Sequence, residues 1–232
     1  MFGLPWHIIL PTLLGSLLVG VMCSAIGTFV VRLNLSSLGF AMSHAAFAGA
    51  ALGVMVSLVD PIWTAVLFAV LMAAVLGPIA DLSRLRVDTV VGATFPLTMA
   101  LGLIFISKAP SAGIGSGALS LLWGSVLGIT QGQVVLLAAV CAVSLGVIAL
   151  FGKQFFALLL DRKLARASGL NTARAFYVLL FLVAIIVGVS LRVTGGLLIY
   201  ALMILPASAA FQWAYDIKKV FLIAPLLGTL AS

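Results

Sequence analysis

The stretch Ala175–Trp213 reads AFYVLLFLVAIIVGVSLRVTGGLLIYALMILPASAAFQW and carries one charged side chain, Arg192. A helix needs roughly 20 mostly apolar residues to cross the hydrocarbon of a bilayer. This stretch holds two such lengths, 175–192 and 195–213, which part at Gly195 and Gly196. Glycine loses more backbone entropy than any other residue when wound into a helix, so a pair of them weakens continuous winding there. The rest of the chain has the same character. It is 64% apolar and 7% charged and contains no glutamate, against roughly 25% charged residues in a soluble domain. A water-facing surface is excluded, and an integral membrane protein is expected.

Reading outward on the same rule gives spans near 8–31, 38–59, 62–80, 89–107 and 131–151 before these two, and the start of an eighth near 220. The fold class is all-α: a polytopic membrane helical bundle of about eight transmembrane helices in a single domain over residues 1–232. The last 13 residues would rise only about 20 Å, against roughly 30 Å of hydrocarbon, so the eighth span is expected to be cut short. The N-terminal MFGLPWHIILPTLL lacks the basic region of a secretory signal and is expected to be mature sequence. Pro78, Pro96, Pro206 and Pro225 fall in or beside spans, where neighbouring helices can satisfy the backbone groups they free. Ala45, Gly49 and Gly53 recur every four residues and let another helix approach closely.

The formal charge of +7 would suit nucleic acid if it were clustered on one surface, but it is dispersed in short groups between apolar runs. Arg32, Arg84, Arg86, Lys153, Arg162, Lys163, Arg166, Arg174, Lys218 and Lys219 fall on one side of the threading, Lys108 and Arg192 on the other. By the positive-inside rule the first side is cytoplasmic and the N-terminus is outside. No nucleic-acid partner is expected; membrane lipid is. Cys23 and Cys141 sit in apolar runs and read as small buried hydrophobes.

Enzyme signatures fail on spacing. In GVIALFGKQ one residue too many separates Gly146 from Gly152 for a phosphate-binding loop, and Gln154 follows the lysine. A HExxH zinc site is impossible without glutamate. Ser43 and His44 are adjacent on a helix and point about 100° apart, so they form no dyad. The chain is expected not to be an enzyme, to bind no cofactor of its own, and to draw any ATP-derived work from a partner.

Two features stand out. His44 lies near the middle of an otherwise greasy segment, SSLGFAMSHAAFAGAALG (36–53). The longest cytoplasmic connection, GKQFFALLLDRKLARASGLNTARA (152–175), contains a short helix whose N-cap would be Asp161 and whose end would be Gly169, a residue suited to the positive φ of a C′ position. Such a helix either lies on anionic lipid or fits a groove on a cytosolic protein and carries its motion into the bundle.

Several segments, in order along nearly the whole chain, resemble the zinc/manganese/iron-type ABC transporter permeases. They are SHAAFAG, RVDTVVGATFPLTMALGL, LLWGSVLGIT and LDRKLARASGLNTARAFYVLLFLVAIIVGVSLRVTGGLLIYALMILPASAA. The resemblance implies the membrane-spanning subunit of an importer in a prokaryotic inner or plasma membrane. It implies a second copy of the chain, a cytosolic ABC ATPase, and an extracytoplasmic binding protein that delivers a metal ion such as Zn²⁺, Mn²⁺ or Fe²⁺. It also implies that Asp161, Arg162, Leu164, Ala165 and Gly169 carry the coupling to the ATPase.

The same resemblance makes His44 a metal ligand, but with a departure. The family pattern G-D-A-x-S-H-A has an aspartate four residues before the histidine, on the same helical face. Here GFAMSHA puts Phe40 at that place, which offers neither charge nor lone pair. One imidazole cannot hold zinc, which takes three or four ligands. Met42, Met99, Ser43, Asn34 and Asp88 are the further donors within reach of the sequence reading. Three roles stay open for His44: a weak ligand that passes a metal on, a structural histidine bonded to a neighbouring helix, or the wall of a path for another solute, a chelate or a neutral compound.

Overall fold

The computed structural model describes residues 6–57, 59–82, 87–109, 124, 129–160, 165, 168–214 and 216–232, with backbone alone at 6–8, 80–82 and 87–89. Among them nine helices and no strand are found: α1 Trp6–Arg32, α2 Ser36–Val56, α3 Pro61–Leu82, α4 Val87–Ser107, α5 Gln131–Leu150, α6 Gly152–Leu160, α7 Thr172–Thr194, α8 Gly196–Trp213 and α9 Ile217–Ala231. Seven of them, all but α6 and α9, are long and apolar enough to cross a bilayer. With α9 at 15 residues, the eight expected spans are all present as helices.

Packing sorts the helices into two groups that share α7. One is α2 against α3 and α4, with α7 on α3; the other is α1 against α8, α9 and α5. The interior spans α1, α2 and α7 are largely buried, whereas in α4 and α5 most residues are exposed or half-buried. The exposed side chains are apolar, among them Leu97, Leu103 and Ile104 of α4 and Val135, Val143 and Leu150 of α5. In water so large an apolar surface would be unstable; against lipid or another copy it is ordinary.

The small-residue ridge of α2 is a packing device. A Cβ on Gly49 or Gly53 would overlap Thr64 and Pro61 of α3, so both glycines let the two backbones close up. Hydroxyls turn inward on their own helices: Thr28 donates to the Ala25 carbonyl at 2.8 Å and Ser144 to the Cys141 carbonyl at 2.9 Å. Cys23 and Cys141 are buried thiols with no disulfide, as their surroundings in sequence suggested.

Helix ends follow capping chemistry. The α1–α2 turn closes on Asn34 at φ +54°, with the Leu35 amide donating to the Val30 carbonyl (2.8 Å) and the Asn34 amide to the Val31 carbonyl (3.1 Å). That bond pair is a Schellman motif with asparagine in the left-handed position. Between α7 and α8, Gly195 holds φ +77° and ψ +157°, a region open essentially to glycine alone. The break expected at that glycine pair is present, and it falls at Gly195. Thr130 and Gln133 form a reciprocal capping box at the start of α5.

One element differs from the sequence expectation. Residues 152–160, read as loop, form α6, which buries Phe155, Leu158 and Leu159. Nine residues cannot span a bilayer, but this i, i+3, i+4 stripe suffices to seat a helix flat on the bundle. Phe155 stacks on Phe29 of α1 with ring centroids 5.4 Å apart.

Candidate functional site

Helix α2 runs through the middle of the bundle, and His44 sits halfway along it with only 3% of its surface exposed. Neither Nδ1 nor Nε2 has a hydrogen-bond partner among the described residues. A neutral imidazole offers one donor and one acceptor, and leaving such buried groups unpaired costs about 1–3 kcal/mol. Most buried polar groups avoid that cost, so an exception calls for a reason.

Aromatic rings from two helices meet the imidazole, and a third helix adds one more ring to the cluster through Phe40. Phe40, one turn earlier on α2, meets His44 edge to face at 4.6 Å, and Phe95 of α4 does the same at 4.6 Å. Phe40 also contacts Phe95 at 4.9 Å and Tyr200 of α8 at 5.0 Å. Phe40 thus stands where a carboxylate one turn away would reach His44, and it joins α2 to both neighbouring helices. Phe95 and Tyr200 were not singled out from the sequence. Each lies in a segment that carries the family resemblance, but nothing local marks either as facing His44.

The other suggested donors do not gather there. Ser43 Oγ donates to the Phe40 carbonyl at 2.8 Å on its own helix. Met42 is fully buried in the apolar core, Met99 packs against that core, and Asn34 occupies the exposed α1–α2 turn. The Asp88 side chain lies outside the described residues. Among the described residues no three of His, Cys, Asp and Glu come together as a metal-binding cluster. What the geometry provides is a single buried nitrogen base in a neutral aromatic enclosure.

At the outer end, Arg192 lies 3.7 Å from Asp60, each side chain about half exposed. Asp60 also accepts from the Ile62 amide at 3.0 Å and so caps α3. The pair ties the α2–α3 turn to the end of α7. Asp161, Arg162 and Leu164 fall outside the described residues. Ala165 is helical and buried. Gly169 is exposed at φ +78°, and the Leu170 amide donates to the Ala165 carbonyl at 3.1 Å. That six-to-one bond is the helix-terminating geometry anticipated for Gly169. Asn171 then caps α7, its side chain accepting from the Arg174 amide at 3.0 Å.

Comparison with known proteins gives this bundle its relatives. The manganese import system permease protein ScaB of Streptococcus gordonii is 30% identical over 227 residues, covering 98% of this chain and 80% of the relative. The manganese transport system membrane protein MntC of Listeria monocytogenes is 29% identical over 220 residues, covering 95% and 77%. The solved structure of PsaBC from Streptococcus pneumoniae in complex with Fab superimposes with a TM-score of 0.85 at 27% identity, over 97% of this chain and 80% of that one. With seven helices long and apolar enough to cross a bilayer and these prokaryotic relatives, the chain is a multi-pass prokaryotic membrane protein. The model of the ABC 3 transport family matches residues 6–232, and the chain belongs to that family.

Proposed function

We propose that this chain is the membrane-spanning subunit of an importer for a divalent transition-metal ion, with manganese(II) the first candidate ahead of zinc and iron(II). The observation that carries the reading is the likeness over 98% of the chain to a relative named as a manganese import permease. His44 supports it from within: its unpartnered nitrogens at the centre of α2 are what a transient ligand in a transport path requires. Binding there must be weak enough to release the ion onward, and a site without a carboxylate is suited to that.

On this reading two copies of the chain enclose the path, an extracytoplasmic binding protein delivers the ion, and a cytosolic ABC ATPase supplies the work. The segment 161–169 is the coupling element. Asp161, Arg162, Leu164, Ala165 and Gly169 are its coupling residues; of these, Ala165 is buried and Gly169 takes the positive φ of a helix end.

The test is uptake of manganese-54 into proteoliposomes carrying the complex of this chain with its ATPase and binding protein. Uptake with ATP that falls at least tenfold in His44→Ala supports the proposal; unchanged uptake in that variant removes His44 from the path. Phe40→Asp addresses the cargo. Restoring the carboxylate is expected to tighten manganese(II) binding, because it adds a charged oxygen one turn from the imidazole. If binding stays unchanged while ATPase stimulation is independent of metal, the enclosure of Phe40, Phe95 and Tyr200 serves a chelate or a neutral solute instead.

A further inference from the structure

A cavity of about 710 Å³ opens at the inner end of the bundle, within the size range of small-ligand sites. Its polar wall is Arg32 and Asn34 from the α1–α2 turn and Ser208 and Gln212 from α8; its apolar wall is Leu160 at the end of α6, Phe211 and Ile217. Arg32 is exposed, and among the described residues no carboxylate lies within ion-pair distance of it. Toward the described residues its guanidinium donors are unclaimed and can be offered to an oxyanion. Trp213, next to Gln212, leaves 74% of its surface exposed. Tryptophan favours the headgroup layer of a bilayer, which puts the mouth of the cavity at that depth.

A water-soluble anion would gain nothing from Leu160, Phe211 and Ile217. A molecule with a charged head and apolar tails uses both walls. Basic pockets between transmembrane helices on the cytoplasmic side take anionic lipid headgroups in this way. We propose that this cavity binds an anionic phospholipid of the inner leaflet, with its phosphate on Arg32 and its acyl chains along Leu160, Phe211 and Ile217. The lipid would bridge the α1–α2 turn, α6 and the α8–α9 junction. It would brace the residue that leads directly into segment 161–169. Nothing in this inference depends on the identity of the cargo.

The test is native mass spectrometry of the purified full chain with added phosphatidylglycerol, phosphatidylcholine or glycerol 3-phosphate. Wild type should retain phosphatidylglycerol about fivefold better than phosphatidylcholine, the effect of one arginine near an anionic surface. Arg32→Gln should lower retention to the phosphatidylcholine level, and Arg32→Lys should keep most of it. Ser208→Phe, which fills the cavity wall, should reduce retention of both lipids; comparison of it with Arg32→Lys stands in if Arg32→Gln does not fold. Glycerol 3-phosphate alone should not bind. Unchanged phosphatidylglycerol retention in Arg32→Gln would overturn the proposal, as would glycerol 3-phosphate competing at equal concentration, which would mark a site for soluble phosphate esters. Loss of ATPase co-purification in Arg32→Gln with lipid retention intact would assign the cavity to a protein partner and refute the lipid site.

Discussion

His44→Leu separates a ligand from a structural histidine, because the two roles predict stability changes of opposite sign. Leucine has about the size of the imidazole and carries no polar atom, so the substitution neither opens the cavity that alanine would nor leaves a buried donor or acceptor unpaired. In the wild type both ring nitrogens lack partners among the described residues, and the surroundings are Phe40 and Phe95 at 4.6 Å each. Removing that unsatisfied pair should stabilise the fold by about 1–3 kcal/mol. For a chain of this length each kcal/mol moves the melting temperature by about 2–4 °C, so a rise of roughly 2–12 °C is expected. The assay is thermal unfolding of the detergent-solubilised chain followed by fluorescence-detected size exclusion, with manganese(II) binding measured on the same preparation. Stability should rise while metal binding is lost. A fall of several degrees would mean that the imidazole is hydrogen-bonded in the folded protein, and the case for a free ligand would fail.

Gly27→Val should break the bundle at its tightest point, because a side chain there overlaps the Met203 backbone carbonyl of α8; loss of the monodisperse peak in size exclusion is the readout, and a normal peak would contradict the α1–α8 contact. Asp60→Asn should lower the melting temperature by no more than about 4 °C, since a half-exposed ion pair at 3.7 Å contributes about 0–1 kcal/mol at about 2–4 °C each, and a larger drop would give the Asp60–Arg192 pair more weight than its geometry allows. Gly169→Val places a β-branched side chain at φ +78°, a conformation it adopts only under strain. Co-purification of the ATPase should fall severalfold while membrane insertion is kept, and normal co-purification would remove segment 161–169 from the coupling role.

Most of the fold was legible because hydrocarbon imposes one rule on every span. Length and apolarity placed all eight spans within a few residues of α1–α5 and α7–α9, and the glycine pair at 195–196 located the break between α7 and α8. Gly169 was legible for the same kind of reason: a single residue type fits the backbone conformation required. Helix α6 is not legible by that rule, because GKQFFALLL is too short to span. Its stripe of Phe155, Leu158 and Leu159 was visible, but the partner it needed, Phe29, lies more than a hundred residues earlier. The site was half legible. His44 and Phe40 are one helical turn apart, so their contact follows from spacing, whereas Phe95 and Tyr200 reach them from helices whose facing surfaces only the packed bundle defines.

That enclosure carries a consequence for how an ion could use it. A dication entering a low-dielectric interior loses hydration that must be replaced by charge or by several lone pairs. His44 supplies one lone pair, and the rings of Phe40 and Phe95 beside it supply only the weak attraction of their faces. Phe40 and Phe95, moreover, meet the imidazole edge to face, so part of that attraction is already spent on each other's ring hydrogens. In the arrangement described, an ion at His44 would be under-coordinated and its affinity low. On the proposed reading, then, the arrangement is a closed resting state. Binding has to follow a rearrangement that swings Phe40 aside and brings oxygen ligands or water to the ion, and the weaker the site at rest, the more completely the ATPase partner sets the timing of passage.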